Sequence, residues 1–421
     1  MKRPLRFGIA LALGLSLTAG ILPFELTLKE KDHEKIGDSL VDYYEAIAAK
    51  KGITEARNDV RDVLDKFSDK LSKKAKKDID VLSLTEDMTA SFMKAASVPE
   101  RAAVGKITDF SVDTPLGKMD FALHAPKKYK ASRGSIPLII TIPEEGKDLS
   151  DHLNENWMLP DVRDGAVIAA LQMPRNVDLW AKSSRDPMGG LEVVMFSLGN
   201  ILKEYAIDPN RIYISGRGDG VEAAAHVASI FPYTFAGLIG RSGDLGETGP
   251  KNFGNLHCYF AGGGGNVTDF DENAKGLGYE TVTVDPTGDL KAVWSWIEAH
   301  PRTANPMKID FELKSPMAGR AYWLSAAGFD PEEEPAISAE INRETNAIAI
   351  TASHVTQVTL YFNDALVDLD REVTVICNGV EQKEKFSRSL ATALTQFYKS
   401  NDAGRVYTAF QVYDIPEPED K

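Results

Sequence analysis

The feature that most constrains the fold is the run Asp208-Pro-Asn-Arg-Ile-Tyr-Ile-Ser-Gly-Arg-Gly-Asp-Gly220. It reads as an apolar strand that breaks into three alternating glycines and resumes as an apolar helix over residues 221–231. A strand and a helix can join through so short a turn only where their backbones nearly touch, and glycine is the residue that permits this. The turn therefore calls for a sheet with helices packed directly on it. The surrounding sequence supplies both. Between about residues 104 and 301, strand-like runs at 107–112, 119–125, 136–142, 166–171, 212–215, 237–240, 256–261 and 281–284 alternate with helical periodicity at 188–205, 221–231 and 290–300. Runs such as Pro-Leu-Ile-Ile-Thr and Val-Ile-Ala-Ala-Leu suit central parallel strands covered on both faces. This alternation predicts an α/β fold with a doubly wound, mostly parallel sheet.

Two regions of different pattern flank it. From residue 29 to about 96, apolar residues recur at helical spacing: Ile36, Leu40, Tyr43, Tyr44 and Ile47, then Val60, Val63, Leu64, Phe67 and Leu71, then Leu84, Met88, Phe92 and Met93. From about residue 306 the period falls to two, with strands expected at 308–312, 321–324, 337–341, 347–352, 357–362 and 373–378 and a turn at Asn378-Gly379. Short, regularly spaced strands of this kind suggest a β-sandwich. The chain of 421 residues is thus expected to divide into a leader at 1–24, a helical region at 25–103, the α/β domain at 104–305, and a β-sandwich with an acidic tail at 306–421.

The N-terminus carries Lys2, Arg3 and Arg6 ahead of an uncharged apolar run from Phe7 to Phe24. A positive segment followed by an apolar one is the layout of a signal peptide, and the run is also near the lower length limit for a signal-anchor. Both readings imply export, to the periplasm, cell envelope or exterior, and the second implies membrane anchoring. The net charge of −14 argues against nucleic acid as a partner, because duplex binding requires clustered basic charge. Two cysteines, Cys258 and Cys377, lie in separate apolar runs and read as buried free thiols. Neither has metal-ligand company, and no cofactor is expected.

On the Asp-Pro-Asn-Arg-Ile-Tyr lead-in, the glycine turn and the strand–turn–helix context, the segment from about 136 to 300 resembles the α/β-hydrolases. Exported esterases of the polyhydroxybutyrate-depolymerase and feruloyl-esterase kind, and S9-type peptidases, are similar to it. The residues from 306 to 413 also resemble the β-sandwich module that follows such domains in secreted bacterial proteins. The resemblance implies a nucleophile elbow, with small residues two before and two after the nucleophile. One register satisfies that spacing, Gly216-Arg217-Gly218-Asp219-Gly220, and it puts Gly218 where the family has its serine.

Three further places depart from the implied pattern. The strand at 256–261 runs into Gly262–Gly265 and Asn266 rather than toward an acid, with Asp269 and Asp271 only further along. The loop before the last helix, Val284-Asp-Pro-Thr-Gly-Asp289, has no histidine, and the oxyanion segment reads Pro143-Glu-Glu-Gly146. The expectation is a degenerate elbow with no catalytic triad. Glu144, Glu145, Arg217, Asp219, Asp285 and Asp289 are expected near the carboxyl ends of the strands, where open α/β sheets bind ligands. The plain structural reading of two of them is that Asp219 caps the following helix and Arg217 neutralises it. The resulting functional expectation is an envelope protein that binds a ligand or a protein in the cleft or on the sandwich. The alternative is an esterase or peptidase with a noncanonical site.

Overall fold

The computed structural model describes residues 27–95, 103–131, 136–262 and 264–416. The basic N-terminus with its apolar run, and the acidic residues 417–421, lie outside the described residues. Eight strands form one sheet: β1 (Ile107–Thr114), β2 (Gly117–His124), β3 (Ile136–Ile142), β4 (Val167–Leu171), β5 (Ile207–Arg217), β6 (Gly237–Arg241), β7 (His257–Ala261) and β8 (Val282–Asp285). Their spatial order is β1-β2-β4-β3-β5-β6-β7-β8. The β1–β2 hairpin and the β2–β4 pair are antiparallel, and every pairing from β4 through β3 to β8 is parallel. The doubly wound, mostly parallel sheet expected from the alternation is present.

Helices cover both faces, which is why the central strands carry so few polar residues. On one face α6 (Gly190–Glu204), α7 (Gly220–Ile230) and α8 (Val267–Gly276) pack on Leu138, Ile140, Ile214, Leu238 and Phe260. On the other, α4 (Leu149–Trp157), α5 (Pro160–Gly165) and α9 (Leu290–Ala299) pack on Ile139, Ile168, Tyr213 and Ile239. The expected strands and the helices α6, α7 and α9 are found within a few residues of their anticipated limits. Helices α4, α5 and α8 are not expected from the sequence: α5 has only six residues, and α4 and α8 are mostly polar, so their 3.6-residue apolar period is sparse.

The C-terminal strands form two sheets around one core. One has the order β10-β11-β14-β17, built from β10 (Arg320–Ala321), β11 (Leu324–Ala327), β14 (Gln357–Phe362) and β17 (Ala409–Asp414). The other has the order β16-β15-β13-β12-β9, built from β9 (Lys308–Glu312), β12 (Ala336–Asn342), β13 (Ala347–Ser353), β15 (Val373–Cys377) and β16 (Val380–Glu384). Ile348, Ile350, Val358, Leu360 and Phe362 alternate into the space between them. Asn378 and Gly379 both have positive φ, 46° and 86°, and close the β15–β16 hairpin. The single strand expected at 321–324 is instead a break between β10 and β11, where Tyr322 turns with φ 53°. Cys258 and Cys377 are buried free thiols.

The N-terminal helices α1 (Glu30–Ala49), α2 (Ile53–Ala75) and α3 (Thr85–Lys94) share their core with α10 (Leu390–Ser400), a helix the period-two reading did not anticipate. Ile36, Leu40, Phe67 and Phe92 pack with Leu394 and Phe397, so residues some 300 positions apart close one apolar cluster. No helix among the described residues is long and apolar enough to cross a membrane.

A buried ion cluster ties the parts together. Asp402, just past α10, accepts from Arg302 Nη1 and Nη2 (2.8 Å each) and from Arg405 Nε (2.8 Å). Arg302 also donates to the Tyr233 carbonyl (2.9 Å) and to Asn210 Oδ1 (2.9 Å), on the α/β side. Burial alone would raise the Asp402 carboxyl, but the two guanidiniums outweigh it and hold it well below the ordinary carboxylate range. Replacing Asp402 by Asn leaves two buried guanidiniums without a counter-charge. Loss of one partner of a buried pair costs about 3–5 kcal/mol, so Asp402→Asn should lower the urea midpoint by a corresponding amount. Equal midpoints for the two proteins would contradict this.

Candidate functional site

The site is built where β3, β5 and β6 end. A Cβ on Gly216 would collide with the carbonyl oxygen of Gly220, and a Cβ on Gly220 would collide with the carbonyl oxygen of Ile142 at the end of β3. Backbone thus touches backbone at the two positions flanking the turn, and neither tolerates a side chain. Gly218, at the tip, has φ 53° and receives the turn bond of Val221 N on its carbonyl (3.1 Å). Its own N–H donates to the Arg241 carbonyl on the neighbouring strand (3.2 Å).

The segment after β3 folds over this turn. A Cβ added to Gly218 would lie 2.6 Å from Cγ of Glu144, so the Glu144 side chain stands in the space above the tip. Arg217 holds it there, donating from Nε to Glu144 Oε1 (3.0 Å). The next residue makes the complementary link, with the Glu145 N–H donating to Asp219 Oδ2 at 3.4 Å. Asp219 therefore does not act as the side-chain cap of α7, and Arg217 neutralises Glu144 rather than Asp219. Capping was the simpler reading of sequence, but the helical φ and ψ of Asp219 (−60° and −26°) differ from the extended conformation of a capping residue.

Four of the anticipated residues, Glu144, Glu145, Arg217 and Asp219, thus meet around Gly218. Asp285 and Asp289 do not join them. Asp285 ends β8, three strands from β5 and so about 14 Å away at ordinary strand spacing. It accepts from the Tyr259 hydroxyl (2.6 Å) and from Thr287 N (2.8 Å), while Asp289 caps α9 through Lys291 N (3.0 Å). Both carboxylates serve the local loop. Sequence places them at strand ends correctly but says nothing of which strands are neighbours. Asp271 pairs with Lys275 on α8 (2.7 Å).

Two residues of the site went unseen. Arg241 ends β6 in register with Arg217 on β5. It donates to the Asn156 carbonyl (3.0 Å), lies over the Trp157 ring (5.5 Å), and has no carboxylate partner among the described residues. Burial, then the charge of Arg217, pulls it down to about 10. The strand was expected to stop at Gly240, one residue short of it. His152, on the unrecognised α4, is 1% exposed; its Nε2 lies 2.9 Å from Thr141 Oγ1, which also accepts from Trp157 Nε1. Its Nδ1 and the nearby Ser215 Oγ are buried without a protein partner. Burial first, then Arg217, Arg241 and Lys147, push His152 down to about 4, so the ring is neutral at pH 7. Among the described residues, no cluster of three or more His, Cys, Asp or Glu could hold a metal ion.

The sheet order, the antiparallel second strand and the glycine turn between β5 and α7 are those of an α/β-hydrolase. The chain has that fold. No protein-family model and no curated protein matches it. Among solved structures it is similar to a thermostable esterase, at 20% identity and TM-score 0.37, covering 47% of this chain and 64% of the esterase. It is also similar to an S-formylglutathione hydrolase from Staphylococcus aureus, at 9% identity and TM-score 0.35, covering 46% of this chain and 96% of that one. An acylaminoacyl peptidase from Pyrococcus horikoshii matches at 11% identity and TM-score 0.35, covering 49% of this chain and 43% of its own.

The buried imidazole makes a pH prediction. His152 titrates lower in the folded protein than in the unfolded chain, so the unfolded state takes up the proton first as pH falls from about 6.5 toward 4. Its contribution is present at pH 7 and is lost on acidification, by about 2 kcal/mol between pH 7 and pH 5. The fall in urea stability over that interval should therefore be smaller in His152→Gln than in the parent. Parallel pH profiles for the two would contradict the assignment.

Proposed function

We propose that this chain is an exported α/β-hydrolase-fold protein that does not hydrolyse by a serine triad and that acts by binding a ligand or a protein. The observation that carries the reading is the pair of links over the elbow. Gly218 offers no nucleophilic atom, and Glu144 stands where a nucleophile's side chain would rise. Covalent acyl transfer needs that atom beside an activating base. The Glu145 N–H, in the loop from which the fold draws an oxyanion donor, is directed to the Asp219 carboxylate. A carboxylate there also opposes developing negative charge.

Export is supported by the basic residues and apolar run of the N-terminus, and it places the protein in the envelope or outside the cell. Intact mass of the protein recovered from fractionated cells tests this: loss of the leader supports cleavage, retention with the membrane fraction supports anchoring, and full-length protein in the cytosol contradicts export.

The enzymatic part is tested with a fluorophosphonate probe and a panel of p-nitrophenyl esters and peptide amides. The full chain should neither label nor turn over substrate above the uncatalysed rate. Gly218→Ser should stay unlabelled, because its Cβ meets Glu144 and no histidine lies in the loop before α9. Turnover by the parent that disappears in Asp219→Ala would overturn the proposal and establish a hydrolase with a carboxylate-based site.

A further inference from the structure

A cavity of about 600 Å³ lies at the opposite end of β5 from the elbow. It opens where β5 begins, at Ile207 and Ile212, whereas the elbow follows the end of β5 at Arg217. The two places are about 15–20 Å apart along the strand, because β5 is irregular between Ile207 and Ile212. One wall is apolar, formed by Met195, Leu198 and Leu202 of α6 with Phe397 of α10. The other wall carries Arg302, Arg320, Arg405 and Lys399, and Asp402 is the one carboxylate among its described lining residues.

The charges on that wall do not balance. Asp402 is shared by Arg302 and Arg405, which leaves that cluster with one net positive charge. Arg320 forms no ion pair among the described residues. It lies over the Tyr361 ring (4.6 Å to the centroid) and near the Tyr407 ring (5.9 Å), and it donates to the Tyr322 carbonyl (3.4 Å). Arg405 similarly faces Tyr233 (4.6 Å). Aromatic faces stabilise a desolvated cation less than a carboxylate does. A part-buried guanidinium without counter-charge and an adjoining apolar wall together describe what is missing: an anionic head with an apolar body.

We propose that this cavity binds an amphiphilic carboxylate, its head on Arg320 and its chain along α6. Guanidinium meets carboxylate through paired N–H donors, which favours this head over a neutral one. A volume of 600 Å³ is within the range of small-molecule sites. The site is separate from the elbow and does not depend on whether the elbow is catalytic.

Decanoate titrated calorimetrically into the full chain tests the proposal, with decyltrimethylammonium as the probe of equal chain length and opposite charge. Decanoate should bind one to one, and decyltrimethylammonium should bind roughly tenfold or more weakly. Arg320→Gln should weaken decanoate by a similar factor without weakening decyltrimethylammonium. Gly199→Phe supplies a variant that leaves every charge in place. Gly199 lines the cavity within α6, and a Cβ there meets nothing within 4 Å, so a ring can grow into the cavity while a helix-weakening glycine is removed. It should abolish decanoate binding with thermal unfolding unchanged or raised. Absence of decanoate binding, equal binding of the two probes, or decanoate binding that survives Gly199→Phe would each overturn the proposal.

Discussion

Asp402 and the two guanidiniums it holds are the junction on which the three-part architecture depends. Arg302 lies just beyond α9, Arg405 just ahead of β17, and Asp402 between α10 and that strand. Through Arg302 the cluster reaches Asn210 and the Tyr233 carbonyl in the α/β part, so one carboxylate links that part to the segment between α10 and β17. Its neighbour Gly404 has no room for a side chain, because a Cβ there would strike Asn210 and Arg302. Buried charge of this kind is a poor source of net stability, yet breaking it is costly, which makes it an effective specifier of how the parts dock. The same arrangement leaves surplus positive charge facing a cavity, so the joint and the proposed binding site share residues.

At the carboxyl ends of the central strands the governing constraint is backbone contact. Gly216 against Gly220, and Gly220 against Ile142, bring β3, β5 and α7 together as closely as peptide groups allow. The backbone at Gly218 thus has the tight strand–turn–helix geometry of an elbow, with charged side chains set upon it. Glu144 and Arg217 close over the tip, Glu145 and Asp219 link the loop to the turn, and Arg241 lies beside Arg217 in register on β6. Packing requires these glycines independently of any reaction. A strand and helix in contact need them whether or not a substrate arrives.

Much of the fold could be read from residue pattern, for reasons that differ by element. The central strands declared themselves because burial on both faces removes nearly all polar residues, and β12 to β15 because burial on one face imposes alternation. Short polar helices such as α4 did not, since its three apolar residues are spread over only two and a half turns. Helix α10 was hidden for another reason. Its apolar stripe of Leu390, Ala393, Leu394 and Phe397 faces the N-terminal helices, and no local signal tells a stripe which partner it will meet.

Of the candidate site, sequence alone determined the register of the glycine turn, because only one spacing puts glycine at both points of backbone contact. It likewise determined that Gly218 carries no nucleophile and that the loop before α9 has no histidine. The tertiary structure decided which charged residues gather there. It brought Glu144 over Gly218, paired it with Arg217, added Arg241 and His152, and left Asp285 and Asp289 three strands away. Strand order is the physical reason. Each strand's residues are written in its own sequence, but its neighbours in the sheet are chosen by crossovers and packing that no single segment encodes.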